Sequence, residues 1–139
     1  MSKLMRVGTI YLPVTNPGLS AKWFCEKLHA ELSYIDEGNN HAILNLAHQS
    51  FILIQSAQGT LANFQTINDG LMFPLSFEVN GIEALIELHK ELSDNGVSVG
   101  DIEDRGHSGR NFIITDPDGN KYDVWSELSI EFKEKYNII

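Results

Sequence analysis

The residues of this chain best placed to do chemistry gather around one turn near its end. Asp116-Pro117-Asp118-Gly119-Asn120 lies between the β-rich runs Phe112-Ile113-Ile114-Thr115 and Lys121-Tyr122-Asp123-Val124-Trp125. Pro117 presets φ for the first corner and Gly119 takes a left-handed position without a Cβ clash, so the segment reads as a hairpin. In the strand that follows, alternation puts Tyr122 and Val124 on one face and Asp123 and Trp125 on the other. A carboxylate beside an indole suits a lined pocket, because carboxylates and ring faces both attract cations. The preceding loop, Arg105-Gly106-His107-Ser108-Gly109-Arg110, adds a titratable imidazole, His107, and guanidinium groups such as that of Arg110. Such a loop can reach over the same face and orient an anionic group of a ligand.

Other reactive residue types are scattered. His29 and His89 fall on helical segments and His41 and His48 flank a hairpin, positions that read as surface or boundary sites. Cys25 lies mid-helix among apolar residues and reads as a buried, inert thiol. It is the single cysteine, so an intrachain disulfide and a zinc–thiolate cluster are both excluded. There is no Gly-rich phosphate loop, nucleophile-elbow serine or Walker-type lysine.

The elements that must position these residues come in two rounds. Arg6 to Val14 reads as a strand with Ile10, Leu12 and Val14 on one face and Thr9, Tyr11 and Pro13 on the other. A helix over Leu19 to Ala30 follows, then a short strand over Leu32 to Ile35. Strands over His41 to Leu46 and Phe51 to Gln55 complete the round. Residues 56–70 lack periodicity and read as a connection. The pattern then restarts with a strand over Phe73 to Val79, whose faces carry Phe77 and Val79 or Ser76 and Glu78. A helix follows, capped by Asn80 with Glu83 completing a capping box and ended by Gly96. Strands over Val97 to Ile102 and across the final hairpin finish the second round, and Ser129 to Ile139 suggests a short tail helix.

The expected fold is therefore α+β, with two paired βαβββ modules forming a curved mixed sheet around a cleft. The whole chain, 1–139, is expected to be a single domain. Module one covers about 6–58, a connector about 59–71, module two about 72–128 and a C-terminal tail 129–139. If the apolar faces cover the helices, the faces left for the cleft hold Thr9 and Tyr11, Ser76 and Glu78, and Asp123 and Trp125. Gln55 ends a strand that is apolar on both faces, so its direction is open.

Bulk properties narrow the partners. Ten Lys and Arg against 19 Asp and Glu give a formal net charge of −9, with no basic run, which disfavours nucleic acid and anionic membrane surfaces. No segment approaches the roughly 20 apolar residues of a membrane span, and no signal-length apolar run follows Met1 to Val7. A cytoplasmic location is the simplest expectation.

Tyr11-Leu12-Pro13-Val14 followed by Ser20 and Trp23-Phe24, Phe77-Glu78-Val79-Asn80 with Gly96-Val97, and the Asp116 to Asn120 turn together resemble the vicinal oxygen chelate superfamily. That superfamily includes glyoxalase I, bleomycin-resistance proteins and extradiol dioxygenases. The resemblance covers residues 6 to 127 and implies a homodimer. It also implies metal-ligand positions, which fall on Thr9, on Leu53 or Gln55 depending on register, on Pro74 and on Asp123. Only Asp123 is a carboxylate and none is histidine, whereas a divalent transition-metal site needs three good ligands.

The leading expectation is thus metal-independent binding of a small organic molecule, cationic or planar, with no cofactor. Thr9, Tyr11, Gln55, Ser76, Glu78, His107, Arg110, Asp123 and Trp125 are the candidate ligand-binding residues. One alternative is a metal-dependent lyase or dioxygenase of the glyoxalase type with a divergent site around Asp123, Glu78 and Gln55. Another is a vestigial cleft whose role is protein association.

Overall fold

The computed structural model describes all 139 residues and divides into two compact units, Met1–Ala62 and Asn63–Ile139. The N-terminal unit runs β1 (Thr9–Val14), α1 (Pro17–Leu28), β2 (Glu31–Ile35), β3 (His41–Leu46) and β4 (Gln49–Gln55). Its sheet has the order β1-β4-β3-β2, with β1 parallel to β4 and the other pairs antiparallel. Leu12, Val14, Phe24, Ala42, Leu44, Phe51 and Leu53 form the core, so the apolar faces read from the sequence are those that pack.

Helix α1 starts two residues before the expected Leu19. Asn16 is its N-cap, accepting from the Leu19 amide at 3.1 Å, and Pro17 takes the first helical turn, where no N–H is needed. Asn39, from the β2–β3 turn, braces this start by donating to Asn16 Oδ1 at 2.8 Å and accepting from Gly18 N at 2.7 Å. Between β3 and β4 the chain turns on two residues, Ala47 and His48, both with positive φ (51° and 62°). That is the backbone of a type I′ hairpin turn built without the usual Asn-Gly pair.

The C-terminal unit opens with β5 (Phe64–Gln65) and β6 (Leu71–Met72), a small hairpin that starts within the stretch expected to be a plain connection and ends just past it. Then come β7 (Ser76–Glu78), α2 (Ile82–Asp94), β8 (Ser98–Val99), β9 (Asn111–Thr115), β10 (Lys121–Trp125) and α3 (Ile130–Lys135). The sheet order is β7-β10-β9-β8, again with the first strand parallel to the last. The two mixed sheets thus repeat one βαβββ topology, and the α+β class stands.

The expected capping box does not form. Gly81, not Asn80, is the N-cap of α2 and no side chain caps it. The Asn80 side chain donates instead from Nδ2 to the Ile139 carbonyl at 3.1 Å, and Gly81 N donates to Ser126 O at 2.8 Å. At the other end Gly96 N donates to Ser93 O and Val97 N to Leu92 O, the Schellman pattern that the left-handed glycine permits.

The Asp116–Asn120 turn is organised by one buried carboxylate. Asp116 Oδ1 accepts from the amides of Asp118 and Asn120, and Oδ2 accepts from Asn120 Nδ2 at 3.0 Å and the Tyr122 hydroxyl at 2.8 Å. Burial raises the Asp116 pKa against the lowering effect of these donors. Burial, and then the Asp116 charge, push the Tyr122 phenol up as well, so it stays a donor.

A pocket on the open face of the C-terminal sheet

Register, more than sequence distance, assembles the candidate site. The Asp116–Asn120 turn sets Thr115 opposite Lys121, which places Ile113 opposite Asp123 and Asn111 opposite Trp125. On the other side of β10, Asp123 adjoins Ser76 and Trp125 adjoins Glu78. Tyr122, Val124, Phe112 and Ile114 fill the covered face. The open face therefore carries Ser76, Glu78, Asn111, Asp123 and Trp125 together.

An open cavity of ≈ 480 Å³ lies on this face, lined by Ser76, His107, Ser108, Asn111, Asp123 and Trp125. The 103–110 loop forms its rim and is tied down at several points. The Trp125 indole N–H donates to Ser108 O at 3.0 Å, and the His107 ring meets the indole edge-on at 6.0 Å between centroids. Ser108 Oγ donates to Glu127, and Ser126 Oγ accepts from Arg110 N at 2.8 Å. Gly109, at φ 78°, packs so closely that a Cβ would stand 2.7 Å from Ser126 Oγ and 2.8 Å from Trp125 Nε1.

Asp123 is nearly buried, at 8% exposure, and both its oxygens are engaged. Arg105 Nη1 donates to Oδ1 at 3.0 Å and Asn111 Nδ2 donates to Oδ2 at 2.9 Å. Arg105 also donates from Nε to Glu103 at 3.1 Å and lies over the Phe73 ring. Burial acts to lower the Arg105 pKa, but the Glu103 hydrogen bond and the Asp123 charge outweigh it and the pKa is raised. Glu103, Arg105 and Asp123 thus form one hydrogen-bonded cluster, of which Asp123 lines the pocket.

The other expected site residues divide. Ser76, His107, Asp123 and Trp125 come together around the cavity. Glu78 shares their face, but its carboxylate accepts from Ser129 N at 2.9 Å and from Ser129 Oγ at 2.7 Å, clasping the start of α3. Arg110 turns to Asp104 at 3.6 Å and to its neighbour's carbonyl, Gly109 O, at 2.9 Å. In the N-terminal unit, Tyr11 is exposed on the open face beside Ile52, and Thr9 Oγ1 lies 3.2 Å from the Ser50 carbonyl and hydroxyl oxygens. Gln55 pairs with Val14 and so has the parity of the helix-covered face, which separates it from Thr9 and Tyr11.

Sequence reasoning missed Arg105 as the partner of Asp123, and it missed Asn111. Asn111 was within reach, since counting outward from the Asp-Pro-Asp-Gly-Asn turn places it opposite Trp125. Arg105 had no such signal, because a loop has no period.

The positions at which the resemblance implies metal ligands do not fit a metal. Leu53 is fully buried in the core, Pro74 has no donor atom, and Asp123 is already charge-paired. Within neither unit do three His, Cys, Asp or Glu side chains converge as a metal site needs.

A domain of glyoxylase/bleomycin resistance protein/dioxygenase from Frankia sp. EAN1pec is similar in structure, with 22% identity and a TM-score of 0.69, covering 91% of this chain and 100% of that one. A fosfomycin resistance protein, FosX, from Listeria monocytogenes, complexed with Mn(II) and sulfate, has 15% identity and a TM-score of 0.70 over 96% and 99% of the two chains. Lactoylglutathione lyase from Agrobacterium tumefaciens has 11% identity and a TM-score of 0.69 over 90% and 96%. At these identities the likeness carries the fold alone. No curated protein matches the chain. A family model matches residues 6–124, and by that match the chain belongs to the Glyoxalase/Bleomycin resistance protein/Dioxygenase superfamily.

Proposed function

We propose that this protein binds a small organic molecule, without a metal, in the pocket beside Trp125. The engagement of Asp123 carries the reading. The one carboxylate at an implied metal-ligand position has a guanidinium on one oxygen and an amide on the other. The cavity volume falls within the range of small-molecule sites, and its wall combines one large aromatic with a few polar groups. Of the two ligand characters expected from the sequence, planarity is favoured by the indole and imidazole. Positive charge is not, because both oxygens of Asp123 are already engaged by Arg105 and Asn111. The protein acts as a homodimer, in keeping with its superfamily, and sedimentation at micromolar concentration should return twice the chain mass.

The test is metal content of the purified protein, followed by calorimetric titration of stripped protein with nickel, zinc, manganese and ferrous iron. No stoichiometric, micromolar binding is expected. Tight one-to-one binding abolished by Asp123→Ala would favour a metal-dependent lyase or dioxygenase instead. A thermal-shift screen of flat, uncharged aromatic compounds should then yield ligands whose stabilisation is lost in Trp125→Ala.

A further inference from the structure

The cavity wall contains one polar atom that nothing satisfies. Asn111 is buried, at 3% exposure, and its Oδ1 has no hydrogen-bond partner. The orientation of the amide is fixed by chemistry. Asp123 Oδ2 is an acceptor and lies 2.9 Å away, so the nitrogen must face it and the oxygen must face elsewhere. A sealed carbonyl oxygen without a donor is a standing penalty that an incoming donor relieves.

The neighbouring groups point the same way. His107 Nδ1 lies 2.8 Å from the Ser108 carbonyl, which can only accept, so in the neutral ring Nδ1 carries the proton and Nε2 presents a lone pair. The Trp125 N–H is taken by Ser108 O, so the indole offers the pocket a surface and no donor. Asn111 sits directly across the strand pair from Trp125, where a ring laid on the indole brings an in-plane N–H beside it. A cationic ligand finds no free carboxylate oxygen on Asp123, both being hydrogen-bonded already, and an anionic one meets the unpaired oxygen of Asn111.

We infer that the pocket selects an uncharged planar ligand that donates an N–H, of the lactam or aromatic-amine kind, to Asn111 Oδ1. The inference rests on the small-molecule reading above. Because Oδ1 is sealed from solvent, the ligand must part the wall to reach it.

The test compares ring pairs that differ only in the donor: 2-pyridone against 1-methyl-2-pyridone, and quinolin-2-one against 1-methylquinolin-2-one. Binding is read by chemical shifts in ¹⁵N-labelled protein up to low millimolar concentration. The N–H member of each pair should bind roughly ten-fold or more tightly than its methylated twin, the loss expected when a buried acceptor is left unpaired. It alone should shift the Asn111 side-chain amide signals. In Asn111→Ser the preference should fall to about two-fold or less, while Trp125→Phe should weaken both members alike. Should Asn111→Ser fail to fold, the wild-type preference and the Asn111 signals decide the matter. Equal binding of both members, or a preference that persists in Asn111→Ser, overturns the inference and leaves the pocket reading intact. Binding of no member of either pair overturns both.

Discussion

The Asp123–Arg105 pair is probed by removing the guanidinium alone. Arg105→Ala leaves a nearly buried carboxylate with Asn111 as its remaining donor, and we expect a loss of about 2 kcal/mol in urea denaturation. That is less than the roughly 3–5 kcal/mol of a fully buried pair, because the Arg105 side chain is partly solvated. Freeing Asp123 in this way should not create metal binding, since one carboxylate is still one ligand. Asp116 is a second carboxylate with its own signature. Tyr122→Phe removes one of four donors and should destabilise the protein by about 1–3 kcal/mol at neutral pH. The Asp116 pKa is raised in the folded state, so its contribution is fully present below the ordinary aspartate value. It is lost as pH rises through the raised one. Tyr122→Phe should move that upper limit higher still, which carbon-detected titration of the carboxyl would show. At this scale the sequence disclosed residues whose direction follows from strand parity, such as Asp123 and Trp125. It did not disclose that Asp116 is the hub of its turn, because four donors converge on one carboxylate only once the hairpin closes.

Elements were legible where a local rule was strong. The Asp-Pro-Asp-Gly-Asn hairpin, the alternation of β1 and β10 and the glycine end of α2 all follow from backbone preference and period. The start of α2 was misread because Asn80 and Glu83 have capping-box spacing, yet tertiary bonds to Ser126 and Ile139 draw the chain into the helix at Gly81. The hairpin over residues 64–72 left no signal, since two-residue strands are too short to show a period. Two further tests belong here. Replacing Ala47-His48 by Asn-Gly relieves two left-handed residues at the β3–β4 turn and should stabilise by about 1 kcal/mol, a rise of a few degrees in Tm. Gly109→Ala adds both left-handed strain and a methyl against Ser126 Oγ and Trp125 Nε1. It should detach the loop from the indole, with a red shift of Trp125 emission that Gly59→Ala, in open space, does not produce.

For the whole molecule, the duplication was readable from element order, and each unit realises it with the same strand order. The formal charge of −9 implies self-repulsion, so Tm should rise modestly between about 20 and 500 mM salt as exposed like charges are screened. The repeated topology has a consequence for how the chain is made. β1 leaves the ribosome first and pairs with β4, so Thr9 waits 41 residues for Ser50. Until then that edge of an apolar strand travels unpaired, and a longer interval follows in the second unit, where Ser76 of β7 waits for Asp123 of β10. Pro13, which has no amide to offer, sits in that waiting strand and makes it a poorer template for another nascent chain. Substituting Pro13 by valine should leave the finished sheet in place while increasing the fraction of newly synthesised protein lost to aggregation.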